Sequence, residues 1–593
     1  MSSDTLTGAQ LAAQTLHTLG VTTLFGVVGV PVTEIAEAAI NIGIRYIGCR
    51  NEQAASYAAT AHGYLTKRPG VCLLVGGPGV LHGMAGIGNA SENAWPLLVL
   101  AGSHESYLTT KGAFQEMDAI SVITPHVKLA IRPQAPDFIP KAIANAYKTA
   151  WYGRPGPTFI DLPADVISGR SKPALAKVLS LTAPIPPPPT AGVDPVRISQ
   201  AASVLRNAKA PLLVVGKGAA YARAEACIRK FVEATKVPFL PSPSGKGIIA
   251  DSHPLNTSSA RSTALKHADV ALVLGARLNW IFHHGEAPKW NPNVKIIQVD
   301  LSAEELGRNG GDPSLAILGD INMAVPQLLE ALGGWKYQAA GSDYSKKLAQ
   351  TKEKNEKVAL QKARDAGSPL KFEHAFTIIK ETLHSLSPPG DGGVVYVSEG
   401  SQTMDIGRSI FTVEHPRLRL DAGTYATMGL GLAYMIAAHD AYNAPQAQAS
   451  SGPARRKKIV ALEGDSAFGF SAMEVETMAR HKMDILIFVM NNGGIYHGDA
   501  KTKEEFVEKQ GQQPGPKSLR SWALSHQVRY EKLAEAVGGK GYFVRTAEEL
   551  KQATIEGFKA TVPVVVNVVL DSGRIENNVF FAWQTMMEQK ANL

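Results

Sequence analysis

The chain has 593 residues, 45% of them hydrophobic and 19% charged, which allows several buried cores and argues against intrinsic disorder. Its formal charge of +8 suits an anionic substrate or cofactor, and equally an ordinary basic soluble protein; the basic residues are dispersed and no aromatic-basic motif argues for nucleic acid. No apolar run of roughly 18 residues lacks a break, MSSDTLTGAQ is no secretory signal, and the three widely spaced cysteines (Cys49, Cys72, Cys227) suit a reducing compartment rather than a disulfide framework or zinc site.

Length alone predicts about 3 to 4 domains. Three stretches alternate short apolar strands with helical periods, the pattern of parallel α/β domains. The expected fold class is therefore α/β with three doubly wound parallel-sheet domains. The first covers residues 1–183, with strands in TTLFGVV, GVCLLVG and PLLVLAG and a helix over EQAASYAATAHGYL. PIPPPP, from Pro184 to Pro189, is an extended linker. A second domain at 191–335 has strands PLLVVG, DVALVLG, VKIIQVD and LAILGD. The charged segment YSKKLAQTKEKNEKVALQKARDAG then predicts a surface helix or linker rather than a core element. The third domain, 369–577, has strands VVYVSE, KIVALEGD, DILIFVMNN and VVVNVVLD, with a loop-like insertion from Asn443; a tail follows at 578–593.

Chemistry concentrates in the third domain. Two of its strands end in oxygen-bearing residues, Gly464-Asp465-Ser466 and Asn491-Asn492-Gly493-Gly494, at the strand ends where open α/β sheets bind ligands. Asp465 offers a carboxylate, Asn492 an amide oxygen and Gly494 a carbonyl, a hard oxygen set that suits Mg²⁺. Ser466 and Ala467 open the next helix, where N–H groups hold a diphosphate. In the first domain, Glu52 follows Asn51 at a helix start; by spacing alone it is a carboxylate complementing the helix dipole, with Asn51 as N-cap.

The pairing of Gly464-Asp465-Ser466 with Asn491-Asn492 resembles the thiamine diphosphate signature, in which GDG and NN are separated by one helix and one strand; here a serine replaces the third glycine. The resemblance extends over nearly the whole chain and implies pyrimidine-binding, central and diphosphate-binding domains. It implies that Glu52, in an "NE.AA" context, is the glutamate that relays the activating proton to the cofactor. Thr424 to Gly429 looks like the segment that bends the cofactor, with Met428 between its rings and the Ala426 carbonyl accepting from the aminopyrimidine; a plain core methionine is the alternative for Met428. Gln402, Gly464 and Ile495 complete the implied cofactor contacts, and Gly76-Gly77-Pro78-Gly79 matches a turn of the pyrimidine domain. Such enzymes are homodimers at least, commonly homotetramers, because the glutamate domain of one subunit faces the diphosphate domain of another.

Within this superfamily the chain looks most like the 2-hydroxyacyl-CoA lyases, with oxalyl-CoA decarboxylase as sister. FGVVGVPV, GRPGPTFIDLPADV, SEGSQTMDIGR and VMNNGGIYHG fit both. Phe114-Gln115 stands where the decarboxylase carries Tyr-Glu, Phe581 to Thr585 resembles the lyase's aromatic C-terminal segment, and Lys590 to Leu593 resembles a variant peroxisomal address of the SKL type. Ser401-Gln402 departs from the family's Ala-Asn. The implied reaction is cleavage of a 2-hydroxyacyl-CoA to formyl-CoA and an aldehyde one carbon shorter, as in peroxisomal fatty acid α-oxidation, with a cytoplasmic setting as alternative. Gln115 is the implied catalytic partner of Glu52; Val30, Phe114, Tyr496, Arg408, Arg417, Ser572 and Arg574 are the implied substrate contacts, Arg408, Arg417 and Arg419 as candidates for the CoA phosphates. Arg154, Lys217, Arg277, Asp300, Asp320 and Ile321 match positions that bind ADP in the decarboxylase. The rivals are oxalyl-CoA decarboxylase itself, a flavin-dependent acetolactate synthase, and a catalytically silent ADP- or CoA-binding protein.

Overall fold

The structure, a computed structural model, describes residues 5–171, 184–445 and 456–573. It contains three wholly parallel sheets, each covered by helices, so the chain is α/β with three doubly wound domains. The first sheet holds β1 (Thr23–Gly26), β2 (Arg45–Gly48), β3 (Gly70–Leu74), β4 (Leu97–Ser103), β5 (Ala130–Ile131) and β6 (Pro157–Pro163), in the order β2-β1-β3-β4-β6-β5. The second holds β7 (Pro211–Val215), β8 (Phe239–Pro241), β9 (Val270–Leu274), β10 (Lys295–Asp300) and β11 (Ala316–Leu318), ordered β11-β10-β9-β7-β8. The third holds β12 (Val394–Glu399), β13 (Arg419–Asp421), β14 (Lys458–Gly464), β15 (Leu486–Asn491), β16 (Lys540–Val544) and β17 (Val564–Val569), ordered β13-β12-β14-β15-β17-β16. Central strands such as β4, β9 and β15 are buried along their full length, because helices cover both faces of a parallel sheet; this is why they read as unbroken apolar runs.

The first and third sheets share one order, and each reverses direction beside its first strand. That reversal opens a crevice at the carboxyl ends of β12 and β14, where Gly400 and Asp465 follow, and a matching one between β7 and β9 in the second sheet, where Lys217 and Ala276 follow. Gly216 and Gly275 line the second crevice because backbones touch there: a Cβ on Gly216 would lie 2.1 Å from the Gly275 carbonyl oxygen.

The first and third domains lock together around Asp440, which is buried on the helix Gly431–Asn443 and accepts from Thr23 Oγ1 at 2.8 Å and Arg45 Nη1 at 2.9 Å, with His62 Nε2 at 3.3 Å. Burial raises its pKa, but the bond to His62 and the charges of His62 and Arg45 outweigh it and hold Asp440 below the usual carboxylate range. Pro184–Pro189 forms no helix or strand, and the Tyr152 hydroxyl donates to the Pro186 carbonyl at 2.8 Å. The charged segment is a helix, Asp343–Ala363, of which only Tyr344 and Leu348 are buried. The tail at 578–593, with the Phe581 and Lys590 segments, lies outside the described residues, as do Arg574 and 446–455 of the insertion. Among the described residues no helix is long and apolar enough to cross a membrane.

His481 closes the helix Glu474–Arg480 at the same junction, where Arg480 Nη2 donates to the Gly48 carbonyl at 2.6 Å. Burial, with Arg480 and Arg45 nearby, depresses its pKa to about 4. The unfolded chain binds this proton from about pH 6.5 downward, so folding stability is lost as pH falls through the window from there to about 4. His481→Gln is expected to lose less stability than the parent between pH 7 and pH 5 in urea melts; parallel pH profiles would contradict the assignment.

Candidate functional site

A cavity of about 1040 Å³ opens at the crevice of the third sheet. β14 runs into Gly464, and Asp465 starts the helix Asp465–Ser471, so the strand end and helix start place its carboxylate at the crevice floor. Asp465 is 2% exposed; it accepts from Ser466 N at 2.7 Å and Gly493 N at 2.8 Å. Burial still pushes its pKa up to about 7, although the N–H groups of Gly493 and Ser466 pull the other way, so a cation beside it would supply the missing countercharge. Asn492, the residue after β15, and Gly494 share the cavity wall with Asp465. Among the described residues no three His, Cys, Asp or Glu side chains cluster for a metal. A cation here would therefore rest on one carboxylate, an amide oxygen and a carbonyl, which leaves positions for phosphate oxygens and fits a Mg²⁺–diphosphate.

Gln402, Ala426, Met428, Ser466, Ala467 and Ile495 line the same cavity, as do Gly464, Tyr496 and Arg408. Ala426 is held at φ 55°, in the left-handed region, which costs a non-glycine residue roughly 1–2 kcal/mol. Beyond the site, Gly429 and Gly431 donate their N–H groups to Glu399, the last residue of β12, which is fully buried beside Glu463 of β14. Burial raises both carboxyls, Glu399 to about 7, and repulsion from Glu399 raises Glu463 further.

Glu52 and Gln115 are elsewhere. Glu52 opens the helix Glu52–Thr66, capped by Asn51 accepting from Ala54 N at 2.8 Å, and its Oε2 lies 3.1 Å from His82 Nδ1. The turn Gly76–Gly79 brings Gln115 to it: a Cβ on Gly77 would touch the Gln115 carbonyl oxygen at 2.8 Å, and one on Gly79 would lie 3.6 Å from Glu52 Oε1. Val30 and Phe114 are 70% and 72% exposed on this domain, and none of Glu52, Gln115, Val30 and Phe114 lines the Asp465 cavity. The Glu52 group and the Asp465 cavity are thus separate within one chain.

The arginines expected at CoA phosphates are already engaged. Arg408 reaches the cavity but donates to Asp421 at 3.0 Å and Asp405 at 2.9 Å. Arg417 lies outside it, bonded to Glu225 and, at 3.0 Å, to the Ala220 carbonyl, and Arg419 is buried against Ser398. Ser572 also lies outside, its carbonyl accepting from Gly498 N at 2.7 Å. The outer cavity wall is instead built by Arg261, His283, Lys352 and Asn355, from the second domain and the helix Asp343–Ala363. Sequence reasoning missed these, since a charged surface helix carries no signal of facing a cavity.

Arg154, Lys217, Arg277, Asp300, Asp320 and Ile321 all line a second cavity of about 610 Å³ at the crevice of the second sheet. Burial and nearby Glu305 raise Asp300, at the end of β10. Lys217 is not free there: its ammonium donates to Asn93 Oδ1 at 2.6 Å and Thr424 Oγ1 at 2.9 Å.

Residues 6–122 match the model of the thiamine pyrophosphate enzyme N-terminal TPP binding domain, 198–331 that of the central domain, and 399–568 that of the C-terminal TPP binding domain. The chain is 43% identical to human 2-hydroxyacyl-CoA lyase 1, the match covering 98% of both chains. It is 42% identical to the 2-hydroxyacyl-CoA lyase of Arabidopsis thaliana (96% of this chain, 97% of that one) and 36% identical to oxalyl-CoA decarboxylase of Escherichia coli strain K12 (95% of both).

Gly431 starts a helix, where alanine would ordinarily gain about 1 kcal/mol. A Cβ there would lie 2.1 Å from Glu463 Oε1 and 2.7 Å from Glu399 Oε2, so both buried carboxyls would have to shift. Gly431→Ala is expected to destabilise the protein by about 1–3 kcal/mol in denaturant titration, and an unchanged midpoint would show that the carboxyl pair is not held as described.

Proposed function

The chain belongs to the thiamine pyrophosphate enzymes, in the branch of the 2-hydroxyacyl-CoA lyases and oxalyl-CoA decarboxylase, and on that premise we propose that it cleaves 2-hydroxyacyl-CoA to formyl-CoA and an aldehyde one carbon shorter. The greater likeness to the lyases along the whole chain carries the reading. Thiamine diphosphate, when bound, supplies a nucleophilic carbon and an electron sink for the bond broken beside the carbonyl. Asp465, Asn492 and Gly494 would hold Mg²⁺, and the N–H groups of Ser466 and Ala467 the diphosphate. Gly464, Gln402 and Ile495 would wall the cofactor, Met428 would support its bend, and the Ala426 carbonyl would accept from the aminopyrimidine. Glu52 would hold and pass the proton at the pyrimidine ring nitrogen, oriented by His82. Gln115 offers a neutral amide to a substrate carbonyl or hydroxyl, with Val30, Phe114 and Tyr496 around the acyl group; Ser572, Arg574 and Arg408 belong to the same proposal. The reading extends to fatty acid α-oxidation, in the peroxisome if the Lys590–Leu593 address is used.

Glu52 must meet Met428 and Asp465 for this chemistry, yet lines no cavity with them, so we propose that a second copy completes each site, in a homodimer or homotetramer. Exposed apolar side chains on both halves support this: Val30, Leu81 and Phe114 on the first domain, Tyr425, Phe470 and Ile495 on the third. The second cavity supports an adenosine diphosphate as additional ligand, with Arg154 and Arg277 near its phosphates and Asp300 at a ribose.

Mass spectrometry of products from a long-chain 2-hydroxyacyl-CoA and from oxalyl-CoA, with thiamine diphosphate and Mg²⁺, tests the reaction. A shortened aldehyde with formyl-CoA from the first substrate is expected; CO₂ and formyl-CoA from oxalyl-CoA alone would make the protein a decarboxylase. Sharing of sites is tested with two variants. Glu52→Gln and Asp465→Ala should each lose at least about 100-fold in turnover. Mixed in equal amounts and reassociated, they should recover about a quarter of parental activity, because half the dimers are mixed and each carries one intact site. No recovery on demonstrated subunit exchange would place both residues of a site in one chain.

A further inference from the structure

The segment Gly423–Met428 divides the two cavities: Gly423 and Thr424 line the second, while Ala426, Thr427 and Met428 line the first. Its middle residue of note, Ala426, sits in the left-handed region, a conformation that persists only where neighbours hold the flanking chain. On one flank the Thr427 hydroxyl bonds the Tyr57 hydroxyl at 2.9 Å. On the other, Trp280 Nε1 donates to the Thr424 carbonyl at 2.9 Å, and Thr424 N donates to Asn93 Oδ1 at 3.3 Å. Lys217 closes this flank, its ammonium donating to both Asn93 Oδ1 and Thr424 Oγ1.

Lys217 is well placed to act as a fixed point. It begins the helix Lys217–Ala222 directly after β7, and Gly216 and Gly218 pack without room for a Cβ against Gly275. Its acceptor is equally fixed. Asn93 is buried at the end of the helix Pro78–Asn93 and donates to Asn89 Oδ1 at 2.7 Å, and Asn89 donates to the Tyr434 hydroxyl at 2.7 Å on the helix Gly431–Asn443. A buried polar chain thus runs from the second domain through the first into the third. Burial, with Arg277 and Arg154 close by, lowers the Lys217 pKa well below its usual value, which raises the need for both bonds.

We infer that Lys217 is a positioning residue for the thiamine site: from the second domain it clamps Thr424 to Asn93 and so fixes the strained Ala426 and the Met428 that follows. The inference rests on the reading that the segment 424–428 holds thiamine diphosphate. A role in positioning differs from a role in holding a nucleotide in the second cavity, because Lys217 then acts on the first cavity with no ligand in the second.

The test is thiamine diphosphate binding, measured by calorimetry with Mg²⁺ and no nucleotide, on the parent, Lys217→Met, Lys217→Arg and Thr424→Val. Binding by the parent, lost in Asp465→Ala, upholds the cofactor reading independently of Lys217; a parent that does not bind overturns both. Lys217→Met and Thr424→Val are each expected to weaken binding at least tenfold and to lower kcat more than they raise the KM for acyl-CoA. The double variant should be no weaker than Lys217→Met alone, since the bond that Thr424→Val removes is one of the two that Lys217→Met removes. Lys217→Arg should restore part of the affinity. Cofactor binding by Lys217→Met within twofold of the parent would overturn the inference; if that variant does not fold, unchanged binding by Thr424→Val overturns it instead.

Discussion

A carboxyl pair with no access to water sets the geometry on which the rest depends. Parallel pairing of β12 with β14 places Glu399 directly beside Glu463, and both are fully buried. Burial and mutual repulsion disfavour ionisation of both, and Glu399 accepts the N–H groups of Gly429 and Gly431. The Gly431 N–H is a donor that the helix start cannot satisfy internally, and Gly429 precedes the N-cap Leu430. The helix Gly431–Asn443 is thereby tied to the strand ends that carry Gly400 and Asp465, and glycine is required at 431 because the carboxyls occupy the space of a side chain.

The same helix links site to assembly. Its far end carries Asp440, which gathers Thr23, Arg45 and His62 from the first domain, and its near end receives the segment that walls the large cavity. Glu399 holds that segment at one end; Asn93 and Trp280 hold it at the other. The strained Ala426 sits between two anchors on different domains, so its conformation reports the packing of all three sheets rather than local preference.

What was legible in the sequence follows from this layout. Every strand expected from an unbroken apolar run is present, because a strand covered on both faces must be apolar. The strands that escaped are short or at an edge, except Pro157–Pro163, seven buried residues inside the first sheet whose apolar run Asp161 interrupts. Arg45–Gly48 and Lys540–Val544 are half-exposed, and Arg419–Asp421 buries a guanidinium that bonds Ser398 and a carboxylate that Arg408 bonds, so no hydrophobic pattern marks it. That Asp465, Asn492 and Gly494 meet at one cavity was legible because they lie at strand ends, where sequence spacing becomes spatial proximity. The cavity wall with Arg261 and Lys352, the Glu399–Glu463 pair and the bonds of Lys217 to Asn93 and Thr424 were not, because each depends on contacts between elements far apart in the chain.

The arginines show the same limit from the side of charge. A guanidinium in the sequence is a candidate for phosphate only if the fold leaves it unsatisfied, and Arg417 with Glu225 and Arg408 with Asp421 are already matched. Turning Arg417 toward a phosphate would strand the largely buried Glu225 carboxylate, and breaking a buried pair costs about 3–5 kcal/mol. A solvated phosphate gives little to offset that, since it leaves water to make the contact. Lys352 is different: its partner Glu356 is 4.0 Å away and more than half exposed, a pairing worth at most about 1 kcal/mol. A cation that can turn to an anionic ligand at little cost is therefore on the charged helix that looked like a mere connector, and the pairing of each cation, more than its number along the chain, decides which are available to such a ligand.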